Sequence, residues 1–239
     1  AAAGLGRLYL ERGDGTNGIA LLEAAVARGH AGARSDLGEA YLTGNHVEQD
    51  IGRGLELLTA AAEAGIPSAA FLLAETYQYG NGVSMDAELA ERWYRQASDS
   101  GAIYARAGLG VALMRGDGAI DQDVEEGYRL LRETAEQGHP GAQATLGREY
   151  LRGENIEADP ELGANYLYEA ASQGHSTARL ALAQAYLTSR GLENANQEQA
   201  LLWLDEVFAS EGQLAIETLH QLLSDEAALA AAAEVRMEE

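Results

Sequence analysis

Three histidines, His30, His139 and His175, each follow a glycine directly (Gly29, Gly138 and Gly174), and imidazoles in a regular row could hold zinc. "RGDG" occurs at residues 12–15 and again at 115–118, where it could serve as an adhesive ligand. "DQD" at residues 121–123 offers carboxylates to a cation, and "GLGVALMRGDG" offers glycines to a phosphate. Arg115, Arg148 and Arg152 offer three guanidinium forks to an anion. There is no cysteine, so neither a disulfide nor a thiolate ligand or nucleophile is possible.

The spacing of these residues sorts them. The glycines at 29, 65, 101, 138 and 174 recur at intervals of 36, 36, 37 and 36, and an aspartate stands fifteen residues before each: Asp14, Asp50, Asp86, Asp123 and Asp159. A further series, Leu37, Leu73, Leu109, Leu146 and Leu182, is followed each time by Gly or Ala. Four residues after each leucine comes Tyr41, Tyr77, Leu113, Tyr150 or Tyr186. Interlocked series of this period mark a repeat protein.

Each series has a structural meaning. Leu-Gly/Ala-x-x-Tyr is the buried stripe of a first helix, A, which Gly44, Gly80, Gly116 and Gly153 should close in a left-handed cap. The aspartates are expected to cap a second helix, B. Asn196 replaces the aspartate in the last copy, and Glu126 should complete a capping box with Asp123. Small residues four beyond each cap (Gly18, Gly54, Ala90, Gly127, Gly163 and Ala200) mark where B crosses A. Trp93, Tyr166 and Trp203 share one core position further along B. The expected class is an all-α solenoid of about six helix–turn–helix units. They span residues 1–30, 31–66, 67–102, 103–139, 140–175 and 176–211, and a helical cap over 212–239 completes a single repeat domain.

Set in this frame, most of the chemistry dissolves. Histidines in adjacent units stand on the order of 10 Å apart, the separation of packed helices, which is too far to share zinc at ~2.0–2.1 Å per bond. They read as turn residues, and no metal is expected. Both RGDG stretches fall in the loop after helix A, where the repeat places glycine anyway. DQD is a cap and its neighbour, with too few oxygens for a calcium loop. The glycine-rich run lacks a preceding strand and the G-x-G-x-x-G spacing. No Ser/His/Asp grouping stands outside the repeat, so neither catalysis nor a cofactor is expected.

Composition agrees with a soluble helical chain. Of 239 residues, 46% are apolar and 6% aromatic, and the net charge is −22 with arginine as the sole basic type. That field repels nucleic acid and anionic lipid, so no nucleic-acid partner is expected. No apolar run approaches the ~18 residues of a membrane span. The chain opens at Ala1 as if inside a helix and without an initiator Met. It is therefore expected to be trimmed at its N-terminus, with room for a signal or lipid anchor upstream.

"AEQGHPGAQATLGREYLRG" and "ADPELGANYLYEAASQGH", with the long run from Ala60 to Gly101, resemble the Sel1-like repeat, a relative of the tetratricopeptide repeat. The resemblance covers nearly the whole chain. It implies a right-handed α-solenoid whose A helices line a concave face, and an adaptor or scaffold that assembles other proteins. In Gram-negative bacteria similar proteins serve in envelope signalling, host interaction and exopolysaccharide export, which implies a periplasmic or outer-membrane-tethered location, with a cytoplasmic one as the alternative. The first and last units depart from the pattern.

Tetratricopeptide-like geometry then turns certain A-helix positions toward the groove: Phe71, Glu75, Gln78 and Tyr79; Tyr104, Val111, Met114 and Arg115; Arg148 and Arg152. Aromatics and arginine are the types enriched at interaction hot spots. The leading expectation is a non-catalytic scaffold that holds a protein segment there, an acidic one if the three arginines face it together. The alternative is an envelope scaffold in which Arg and Tyr contact an acidic exopolysaccharide during export. A third reading has Phe71 and Tyr104 packing between units and the arginines pairing with nearby carboxylates.

Overall fold

The computed structural model describes residues 2–188 together with 202 and 203. Among these residues every regular element is an α-helix. The chain divides into two compact units, Ala1–Leu131 and Arg132–Glu239. Asn196, Ala200 and the expected cap over 212–239 lie outside the described residues.

In the first unit, α1 (Ala2–Glu11), α3 (Ala31–Thr43), α5 (Pro67–Tyr79) and α7 (Ile103–Arg115) are the A helices. The B helices are α2 (Gly15–Val26), α4 (Ile51–Glu63) and α6 (Ala87–Asp99), and α8 (Val124–Glu136) begins as the fourth. The A helices close as the series requires. Gly80 takes φ 68° and its N–H donates to the Thr76 carbonyl, a conformation that costs a residue with a Cβ. The B helices close in a second left-handed turn. The Gly65 N–H donates to Ala62 and the Ile66 N–H to Ala61, the paired bonds of a Schellman motif.

The aspartates do two jobs. Each carboxylate accepts the N–H three residues on, for instance Leu89 to Asp86 at 2.9 Å and Glu126 to Asp123 at 3.1 Å. Each backbone N–H meanwhile donates back to helix A: Asp50 to Tyr41, Asp86 to Tyr77, Asp123 to Leu113. The A–B loop is thereby shut at both ends. This corrects the capping box expected at Asp123. Its N–H is taken by Leu113, and the Glu126 carboxylate turns instead to Arg129 at 2.6 and 2.7 Å.

The small residues set how closely A and B approach. A Cβ on Gly54 would lie 2.8 Å from the Leu42 nitrogen and 2.9 Å from the Gly38 carbonyl oxygen. Gly18 meets Gly6, and Gly127 meets Gly110, in the same way. At these three crossings the contact admits no methyl group, so the two glycine series are one feature there, whereas the α5–α6 pair carries alanines, Ala74 and Ala90, at the two positions. Around this crossing Leu37, Leu58, Leu73, Leu109 and Leu131 are buried, each worth about 1.5–3 kcal/mol of transfer energy.

In the second unit, α9 (Pro140–Arg152), α10 (Pro160–Ser172) and α11 (Ser176–Thr188) repeat the scheme. Gly147 and Gly163 face each other, and Leu146, Leu167 and Leu182 are fully buried. Tyr150 stacks on Tyr166 at 6.1 Å. Gln143 bridges to Glu169 at 2.7 Å and accepts from Gln173 at 2.8 Å, which satisfies an amide that α9 buries against α10.

Two of the three histidines are more than turn residues. His30 Nδ1 accepts the Ala33 N–H and His139 Nδ1 the Ala142 N–H, each at 3.2 Å. They are N-caps of A helices. Among the described residues no cluster of three or more His, Asp or Glu could hold a metal.

Candidate partner-binding face

Phe71, Glu75 and Tyr79 are spaced four apart on α5 and so form one stripe. The Phe71 ring meets Tyr104 of α7 edge to face, with centroids 5.1 Å apart, and Tyr94 of α6 at 5.9 Å. Edge-to-face pairs align the positive rim of one ring with the negative face of the other. Tyr94 occupies a B-helix position that holds leucine in the other copies (Leu22, Leu58, Leu131 and Leu167). Room for its larger ring comes from Gly108, where a Cβ would lie 2.9 Å from both Tyr94 Cε1 and Phe71 Cε2. Sequence reasoning offered the packing of Phe71 with Tyr104 as one reading but missed Tyr94, although one oversized residue in a leucine series beside one extra glycine was a readable signal.

Packing leaves the outer parts of the cluster uncovered. Tyr79 is 43% and Tyr104 39% exposed, while Phe71 is half-buried. The Glu75 carboxyl is half-buried too, and burial raises its pKa with no counter-charge opposing it. The Tyr79 hydroxyl is pushed up by burial first, then by Asp117 and Glu75, with Arg115 acting the other way. Arg115 itself stands 4.0 Å from Asp117, a long and exposed pair worth little. Val111 is half-buried on α7.

Two expected surface residues belong to the interior. Gln78 is fully buried, its Oε1 accepting the Ile120 N–H at 3.1 Å and its carbonyl accepting Ala119 at 2.8 Å. Its Nε2 is buried with no partner among the described residues. Met114 is fully buried as well, and its backbone lies against Gly127. Both stand five residues after the core leucine (Leu73 and Leu109), the position that faces helix B. Positions two and six after that leucine turn outward instead.

Those outward rows also build a groove that the sequence reading did not single out. Arg7 and Glu11 of α1, Asp36, Glu39 and Thr43 of α3, and His46 line a cavity of about 330 Å³ in the first unit. Burial raises the carboxyl pKa of Asp36, with Arg7 and His30 opposing, and that of Glu39, with Asp36 adding to it.

In the second unit the outward positions of α9 hold Arg148 and Arg152. With Leu151 and with Ala181, Gln184 and Ala185 of α11 they line a recess of about 60 Å³. Arg152 is exposed and Arg148 half-buried. The His175 imidazole near Arg148 is held below its ordinary pKa by burial and then by that charge.

Helical hairpins built on a repeating crossing of small residues define an α-helical repeat protein. Residues 31–66, 67–101, 103–139, 140–175 and 176–206 match the family model of the Sel1 repeat, and the chain belongs to that family. Sel1 repeat proteins are generally protein-interaction scaffolds. The chain is similar to a Sel1 repeat protein from Oxalobacter formigenes, with 26% identity, a TM-score of 0.75, and coverage of 88% of this chain and 87% of that one. A protective antigen with an SLR fold from uropathogenic Escherichia coli has 24% identity and a TM-score of 0.66, over 92% of this chain and 48% of the other. An immunity protein from Pseudomonas aeruginosa has 20% identity and a TM-score of 0.52, over 88% and 74%. No curated protein matches the chain. No helix among the described residues is long and apolar enough to cross a membrane.

Proposed function

We propose that this chain is a non-catalytic scaffold that holds a protein segment against the outward side of α5 and α7, on Phe71, Glu75, Tyr79, Tyr104 and Arg115. The observation that carries this reading is the uncovered aromatic cluster. Tyr79 and Tyr104 expose large rigid side chains around a ring already fixed by packing. Ordering them on binding costs little entropy, which is why tyrosine anchors interfaces. The test is site-specific photo-crosslinking in the source cells. A photoreactive residue in place of Tyr104 should trap a discrete protein adduct that one in place of Glu56, exposed on α4, does not. Equal trapping at both positions would refute the face.

A second reading attaches to the recess beside Arg148 and Arg152. Two guanidinium groups at one small opening suit the carboxylates of an acidic exopolysaccharide, as an envelope scaffold would need. Uronate oligomers should then bind the full chain, and Arg148→Ala with Arg152→Ala should abolish that binding without lowering the melting temperature. Oligomers that bind the double variant as they bind wild type would end this reading.

A further inference from the structure

The α5–α7 face sets two acids, Glu75 and Asp117, against one base, Arg115, so its balance is negative. Arg115 has Asp117 beside it, whereas the Glu75 carboxylate has no ion pair or hydrogen bond among the described residues. It is half-buried, between Phe71 one turn before it and Tyr79 one turn after it, so it has lost part of its hydration with nothing in return. Phe71 and Tyr79 flank it on the same stripe and Tyr104 packs on Phe71, and aromatic faces attract cations. A carboxylate with an aromatic residue one turn to either side is complementary to a planar cation able to fork onto the carboxylate and stack on a ring. Guanidinium does both.

We propose that Glu75 and the rings of Phe71, Tyr79 and Tyr104 form a seat for an arginine side chain of a partner segment. This rests on the reading of the face as partner-binding and reverses the charge that three outward arginines suggest from sequence. The neighbouring helix supports it. Glu39 occupies the same repeat position on α3, two after the core leucine, and α3 touches α5. Adjacent helices lie about 8–10 Å apart, a distance that an extended chain covers in about three residues. The partner segment therefore carries basic residues about three apart. The net charge of −22 draws such a segment in from a distance, and Glu75 fixes its register.

The test uses the full chain and a fluorescein-labelled peptide with arginine at every third position in a glycine–serine background. Its counterparts carry citrulline, the same shape without charge, or glutamate. Anisotropy titration should show binding of the arginine peptide alone. Glu75→Gln, which keeps shape and removes charge, should weaken it about tenfold or more. Glu56→Gln, an exposed acid on α4, should stay within about twofold, and Tyr79→Leu should weaken the arginine peptide while melting like wild type. Equal losses for Glu75→Gln and Glu56→Gln would show general attraction to an acidic protein and overturn the seat, as would failure of the arginine peptide to bind. If that peptide fails while the Tyr104 crosslink still traps a partner, the seat is wrong and the scaffold face stands. If both fail, both readings fall.

Discussion

Gly127 lies against the backbone of Met114, so close that a Cβ on the glycine would be 2.7 Å from the Met114 nitrogen. The obstacle is main chain and cannot swing aside. Gly127→Leu should therefore destabilise by more than about 1–3 kcal/mol, the overpacking scale, and Gly127→Ala should lower the denaturant midpoint measurably. Gly52 on α4 is the control, because the nearest group to its Cβ would be the Asp50 carboxylate at 3.6 Å. Gly52→Ala should raise stability by up to about 1 kcal/mol. Equal midpoints for the two alanine variants would contradict the crossing.

Asp86 separates two bonds that the repeat couples. Asp86→Ala removes the cap on Leu89 but keeps the N–H that donates to Tyr77, so it should cost about 0.5–2 kcal/mol. Asp86→Pro removes both bonds and cannot adopt the native φ of −147°. Its loss should be clearly larger. Chemical denaturation of the pair measures the difference, and equal losses would mean that the backbone bond contributes nothing.

His139 caps α9 through the lone pair on Nδ1, which protonation would remove. Burial holds its pKa below the ordinary 6.5, so the unfolded chain binds the proton more readily than the folded one. Stability from this group is complete above about pH 6.5 and falls as pH drops from there toward the folded value. The carboxyls of Asp36, Glu39 and Glu75, raised by burial, act in the opposite sense, gaining stability as pH falls through their folded values. The informative quantity is thus the melting temperature of wild type minus that of His139→Asn, which keeps a cap that does not titrate. The difference should shrink or turn negative between pH 7 and pH 5. A constant difference would remove His139 from the account.

Gly108 and Tyr94 should be energetically coupled. Gly108→Ala forces a methyl into both the Tyr94 and Phe71 rings, and in an otherwise unchanged chain it should destabilise by about 1–3 kcal/mol. In a Tyr94→Leu background, where the position regains the leucine of the other repeats, the same change should cost much less. Additive losses in the double-mutant cycle would mean that the two residues do not share the space.

The repeat itself was legible in the residues. Aspartate fifteen before glycine, leucine with a small residue after it, and a tyrosine one turn on determine where helices start, stop and cross. Local capping and steric rules act within a few residues and recur in every copy. A helical period also gives each side chain an angle about its own axis, which suffices to group Phe71, Glu75 and Tyr79 on one stripe. It does not say which angles a neighbour will cover. Gln78 and Met114 looked outward in sequence and are buried for separate reasons: α8 approaches Met114 to backbone contact at Gly127, and residues 118–120 of the following loop close over Gln78. His139 needed its backbone turn before its ring could be seen to cap α9. The aromatic cluster depended on the volumes of residues on three different helices, where Gly108 yields the space that Tyr94 and Phe71 fill. That balance exists only once the helices are packed, and it left Tyr79, Tyr104 and the unpaired Glu75 at the surface.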